Sequence, residues 1–208
     1  MKKDVCIKLV LSLIGILLVG TGVAFNASAA LGNDPVGIVY DGIRSAADLS
    51  PEQLGAASNI VNIVLVIVVF CLNRHYVNIG TFIYIIPYGS AVSLGGKLYA
   101  VLFPAQTLAA QITGAAVGCT LLYTGVAMFI AADMGLDPFT GLVMVIRDKA
   151  GKEYRTVKIC FDIGCILCGF ALGGRLGVIT VVTALTAGPV IQFLSGKIGV
   201  YLKTGAEA

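Results

Sequence analysis

Two aspartates in this chain stand in matching settings, Gly32-Asn33-Asp34-Pro35 and Gly135-Leu136-Asp137-Pro138. An Asp-Pro step suits the start of a helix. The carboxylate accepts the orphan backbone N–H groups, and proline at the first helical position has no N–H to lose. A helix N-terminus carries the positive end of the dipole and can hold an anion, while its carboxylate can bind a cation or a proton. A third acid, Asp162, stands inside an apolar run, where an ionisable group is costly and points to function. Lys158 lies four residues earlier on the same helix face, so an ion pair is its structural alternative. Asn26 and Asn62, with Asn59, Gln111 and Gln192, place amides in apolar surroundings, where hydrogen bonds between helices are their commoner use. The candidates for substrate or ion binding are therefore Asp34, Asp137, Asp162, Asn26 and Asn62, with Lys158 as structural partner.

Other chemistry is thinly represented. Cys165-x-x-Cys168 has thiol-exchange spacing, but it sits in an apolar segment without a base nearby, which favours a packing role. His75 is the single histidine, so neither a histidine metal cluster nor a His-based triad can be assembled. No nucleotide-binding loop, kinase signature or esterase elbow is present. The expectation is a protein that is not an enzyme and has no cofactor, no metal and no nucleic-acid partner.

The elements that would carry these residues follow from composition. Only 12% of the 208 residues are charged and 58% are hydrophobic, against about 25% charged in soluble domains, and mean hydropathy is +0.95. So few charges cannot cover a soluble globule of this apolarity. Residues 9–33, 53–73, 76–96, 98–132 and 176–196 contain no Asp, Glu, Lys or Arg, and about 20 such residues span the hydrocarbon core. A sixth run, 157–174, is interrupted only by Lys158 and Asp162. The runs do not alternate in polarity, so they read as helices rather than barrel strands.

The chain repeats itself. A shift of 103 residues superposes Thr21-Gly22-Val23-Ala24 on Thr124-Gly125-Val126-Ala127, Gly15 on Gly118 and Asp34-Pro35 on Asp137-Pro138, with 12 identities in positions 15–44. Later the shift becomes 99, aligning Thr81 with Thr180 and Gly89 with Gly188. The copies run about 5–104 and 105–203 within a single transmembrane domain, 1–208. Lys2, Lys3 and Ala27-Ser28-Ala29 resemble a signal peptide with its cleavage site. The second copy holds an equivalent span far from the N-terminus, which argues that the first span is retained.

Each copy reads as a long span, a short helix after the Asp-Pro step, and two more spans: about 8–30, 35–46, 54–72 and 79–96, then 107–131, 138–148, 157–173 and 177–196. A 12-residue helix extends about 18 Å, too short for a 30 Å core, so each short helix re-enters or lies at the interface. The expected fold is an all-α, polytopic membrane bundle of two inverted repeats, each with three spans and one short helix, a design recurrent in secondary transporters. With both termini cytoplasmic, 11 of the 14 Lys and Arg fall inside and only Arg44, Lys97 and Arg175 fall outside, in keeping with the positive-inside rule. If the short helices crossed, the tally would be twelve against two, so charge does not choose between six and eight spans and helix length favours six. The basic stretch from Arg147 to Lys158 could meet anionic lipid or a cytosolic partner.

Gly22-Val23-Ala24 followed by Leu31-Gly32-x-Asp34-Pro35 resembles the first half of the YczE-like bacterial membrane proteins, akin to the YitT-like group. Thr156-Val157-Lys158-x-x-x-Asp162 and Leu172-Gly173-Gly174-x-x-Gly177-x-x-Thr180, then Gly188-Pro189, are similar to the second half. The chain departs from the pattern at Val36 and Phe139 after the two prolines, and at Ile179, where a glycine is expected. The resemblance implies a bacterial plasma-membrane protein and names no substrate. The leading expectation is a small-solute transporter or permease with its site between the repeats. The alternative is a membrane scaffold or regulator acting through a partner.

Overall fold

A computed structural model describes residues 2–77, 79–105 and 107–206, and every regular element among them is helical. The helices are α1 (Lys2–Ala29), α2 (Pro35–Ala46), α3 (Leu54–Asn73), α4 (Ile79–Leu102), α5 (Leu108–Ala132), α6 (Pro138–Ala150), α7 (Tyr154–Ala171) and α8 (Val178–Ala206). The short helices α2 and α6, 12 and 13 residues long, start at the expected prolines. Helices α4 and α8 run past the expected ends at 96 and 196, because Lys97 and Lys197 sit within them. A lysine does not stop a helix: its stem lies along apolar surface while the ammonium reaches water. The side chains of Lys2, Lys3, Arg155 and Lys203, which entered the charge balance, lie outside the described residues.

Four helical segments among the described residues are long and apolar enough to cross a bilayer: Val5–Ala29, Pro51–Tyr76, Leu108–Ala132 and Val178–Val200. The other two expected spans, α4 and α7, are not among them. Helix α7 has 18 residues and carries Arg155, Lys158 and Asp162. Helix α4 mixes its apolar residues with Gly, Ser and Tyr and contains Pro87.

Helix α1 packs along α5 on one side and α4 on the other, and α5 also packs on α8. Helices α2 and α7 form a second pair, α3 and α6 a third. The α1–α5 crossing is antiparallel and built on glycine. A Cβ added at Gly15 would lie 2.8 Å from the Gly125 oxygen, and one at Gly22 would lie 2.7 Å from the Gly118 oxygen. Small residues let the backbones approach this closely. Gly15 aligns with Gly118 and Gly22 with Gly125, so each glycine meets the repeat mate of the other. The α2–α7 and α3–α6 pairs match in a different way. Ile38 of α2 covers Gly169 of α7, and Val69 of α3 covers Gly141 of α6.

Both Asp-Pro turns need their glycine, at φ +101° for Gly32 and +152° for Gly135, a region open chiefly to glycine. Each turn is closed by the start of a distant helix. Thr81 Oγ1 at the start of α4 donates to the Leu136 oxygen at 3.0 Å. The Ile179 N–H at the start of α8 donates to the Leu31 oxygen at 3.0 Å.

Candidate functional site

The two Asp-Pro steps form as their chemistry requires. Asp34 Oδ2 accepts from the N–H groups of Val36 and Gly37 at 3.2 and 3.3 Å, and Asp137 Oδ1 accepts from the Thr140 N–H at 3.0 Å. The two short helices touch through aromatic rings. Tyr40 of α2 packs edge-on against Phe139, the second residue of α6, with ring centroids 5.6 Å apart. Tyr88 of α4 lies 5.7 Å from Tyr40 and stacks on Tyr84 at 5.0 Å. The Tyr40 hydroxyl donates to Asn62 Oδ1 of α3 at 3.0 Å.

Both Asp-Pro turns feed this aromatic group, since Tyr40 stands on the helix capped by Asp34 and Phe139 on the helix capped by Asp137. Lys158 Nζ donates to Asp162 Oδ1, the ion pair expected from their spacing. The packing of α2 and α6 on α7, and of α3 on α2 and α6, thus brings together the helices that carry Asp34, Asp137, Asn62 and the Lys158–Asp162 pair, four separate stretches of the chain.

Asn26 sits beside this group at the α1–α5 crossing. It is fully buried, and its Oδ1 accepts from Cys119 Sγ at 3.8 Å. Gln111 is half-buried and Gln192 exposed, while Asn59 Oδ1 accepts from the Gly89 N–H at 3.0 Å.

Several polar atoms of the group have no partner. Asp34 Oδ1, Asn62 Nδ2, Asn26 Nδ2 and Asn33 Nδ2 are buried with no hydrogen bond. Buried polar groups are nearly always paired, so the free acceptor of Asp34 and the free donors of Asn62, Asn26 and Asn33 suit polar partners such as ordered water or a ligand. Tyr40, Tyr84 and Tyr88 escaped the sequence reading, because each looked like one more apolar position. The available signal was the hydroxyl, which a buried tyrosine must place on a partner.

The basic stretch is partly engaged with its own chain. Arg147 grips Asp148 Oδ1 through Nε at 2.9 Å and Nη2 at 2.6 Å, and the Tyr76 hydroxyl also donates to Asp148. The Tyr76 hydrogen bond first, and Arg147 second, hold the Asp148 carboxyl below the usual carboxylate range. A cleft of about 340 Å³ beside Tyr76 borders the second Asp-Pro turn at Gly135 and Leu136. Cys165 is buried and Cys168 exposed, both as free thiols.

The helical fold and its four apolar segments define an α-helical membrane protein. The chain belongs to the family of unknown function DUF6198, whose model matches residues 6–196, and it is a YczE-like membrane protein. It is 22% identical to the uncharacterized membrane protein YczE of Bacillus subtilis over 93% of this chain and 87% of that one. It is 26% identical to an uncharacterized protein of Haemophilus influenzae over 87% of this chain and 80% of the relative. No solved structure matches.

Proposed function

We propose that this protein is a small-solute transporter of the bacterial plasma membrane, built from two inverted copies around one central site. The observation that carries the reading is that the helices begun by the two Asp-Pro turns, one from each copy, touch at Tyr40 and Phe139, with ring centroids 5.6 Å apart, while Asp34 Oδ1 and Asn62 Nδ2 are buried without a hydrogen bond. Broken helices meeting at a repeat interface are how many secondary transporters form a binding site.

The inverted, multi-pass arrangement draws support from reciprocity. In the antiparallel α1–α5 crossing Gly15 meets Gly125 and Gly22 meets Gly118, as a two-fold relation between copies requires. The closing of each Asp-Pro turn by the other copy's last helix points the same way. Three spans per copy, with both termini cytoplasmic, satisfy the positive-inside rule, as eight spans would, and the shortness of α2 and α6 favours six. Asp34, Asp137, Asp162, Asn26 and Asn62 hold the solute or ion in this reading, Lys158 is the structural partner of Asp162, and no catalytic step is assigned. The scaffold alternative, acting through Arg147–Lys158, draws less support, because Arg147 and Lys158 are committed to Asp148 and Asp162.

The test is uptake into proteoliposomes over a panel of labelled amines, carboxylates, sugars and inorganic ions, with protein-free vesicles as reference. Accumulation of at least one solute, lost on Asp34→Asn with Asp137→Asn in a folded variant, is expected. Uptake that never exceeds the protein-free vesicles would overturn the proposal.

A further inference from the structure

Arg44, Lys97 and Arg175, the cations that the charge balance leaves outside, come from three distant stretches of chain. The fold brings all three to the wall of one cavity of about 380 Å³, bounded by α1, α2, α4 and the turns before α3 and α8. One carboxylate in that wall is already saturated. Asp41 Oδ1 accepts from Arg44 Nε at 3.0 Å, and Asp41 Oδ2 accepts from the Arg175 backbone N–H at 3.0 Å. Arg44 Nη1 donates in turn to the Leu49 oxygen at 2.7 Å. Arg44 and Asp41 are therefore a neutral, hydrogen-bonded piece of wall that also fixes the Arg175 main chain.

The remaining charges are the ammonium of Lys97, the guanidinium of Arg175 and the carboxylate of Glu52. Among the described residues neither Lys97 nor Arg175 has a side-chain partner. Two free cations against one acid leave the cavity net positive. They stand on different elements, a guanidinium fork and a compact ammonium, a combination that suits the several oxygens of a phosphate. The rest of the wall is mainly apolar, including Ala24, Leu54 and Val92. The volume lies within the usual range for small-molecule sites, roughly 300–1,000 Å³.

We propose that this cavity binds a phosphate ester, with the phosphate between Lys97 and Arg175 and the carbon part of the ligand against Ala24, Leu54 and Val92. The chemistry fits a free sugar or glycerol phosphate and the headgroup of an anionic phospholipid alike. The proposal stands independently of the transport reading, since it involves none of the residues at the Asp-Pro turns.

The experiment uses the full chain in uncharged detergent and follows the thermal unfolding midpoint by light scattering. Glycerol 3-phosphate is titrated in one arm. Phosphatidylglycerol in mixed micelles is titrated in the other, with phosphate-free diacylglycerol as control. A saturable upward shift in at least one phosphate arm is expected. Lys97→Gln and Arg175→Gln should each weaken the apparent affinity about tenfold, the loss of roughly one charge-assisted contact, whereas Lys149→Gln should leave it unchanged. A shift with glycerol 3-phosphate assigns a soluble ester, and a shift with phosphatidylglycerol alone assigns a lipid. No saturable shift in either arm, or an affinity unchanged when Lys97→Gln and Arg175→Gln are combined, would overturn the proposal.

Discussion

The Tyr40 hydroxyl donates to Asn62 Oδ1 at 3.0 Å, joining α2 to α3 across 22 residues of chain, and it leaves Asn62 Nδ2 buried without a partner. A half-satisfied buried amide is costly unless something else completes it. Tyr40→Phe should lower stability by about 1–3 kcal/mol, the penalty for stranding a buried acceptor. Thermal unfolding in detergent measures this, and an unchanged midpoint would show that the bond carries no weight.

Lys158 and Asp162 pair along one face of α7 with side chains 35% and 25% exposed. Removing one charge strands the other, and removing both restores balance. Asp162→Asn should lower the unfolding midpoint, by less than the ~3–5 kcal/mol of a fully buried pair, and adding Lys158→Met should recover most of it. Stability recovered without uptake would mark Asp162 as part of the transport site. Recovery of both would leave it a structural partner.

The α1–α5 crossing leaves no room for a side chain. A Cβ at Gly22 would lie 2.6 Å from the Leu122 nitrogen, whereas one at Gly196 would have no neighbour within 4 Å. Gly22→Ala should therefore sharply reduce the yield of folded, monodisperse protein while Gly196→Ala leaves it unchanged. Size-exclusion chromatography distinguishes them; equal profiles would mean that the backbones can part freely.

Inverted copies place equivalent residues on opposite sides of the membrane. In a background without native cysteines, Arg44→Cys and Arg147→Cys should label with an impermeant maleimide from opposite faces. Labelling of both from the same face would contradict the inversion.

The Asp148 carboxyl, held below the usual range by Tyr76 and Arg147, sets a pH window. A depressed acid contributes stability that is present above its unfolded pKa, about 4, and is lost as pH falls through the lower folded value. Protection of residues 74–76 against hydrogen exchange should thus persist at pH 5 and decline in more acid solution. Asp148→Asn should remove that acid-dependent decline; an unaltered decline would place its cause elsewhere.

Much of this architecture was legible in the chain, because its signals are local. Uncharged runs near 20 residues mark helices in a hydrocarbon solvent, where every backbone group must bond within its own segment. Asp34-Pro35 and Asp137-Pro138 mark helix starts through groups two or three residues away, so α2 began and ended where the sequence placed it. The 103-residue shift singled out Gly15, Gly22, Gly118 and Gly125 before their contact was visible. The i, i+4 spacing foretold the Lys158–Asp162 pair, since one turn of helix places those positions together.

Only the tertiary structure decided which distant residues share a neighbourhood. Asp34, Tyr88, Asn62, Asp137 and Asp162 belong to five helices or helix starts, and no periodicity within one segment encodes their meeting. Tyr40, Tyr84 and Tyr88 went unnoticed because a tyrosine reads as apolar until its hydroxyl has a partner. Arg44, Lys97 and Arg175 could be placed on one side of a membrane by counting charge, but not around one cavity, for counting carries no distances. Backbone chemistry and the bilayer determine the elements residue by residue, whereas the sites arise from close approaches between helices that only the packed glycines permit.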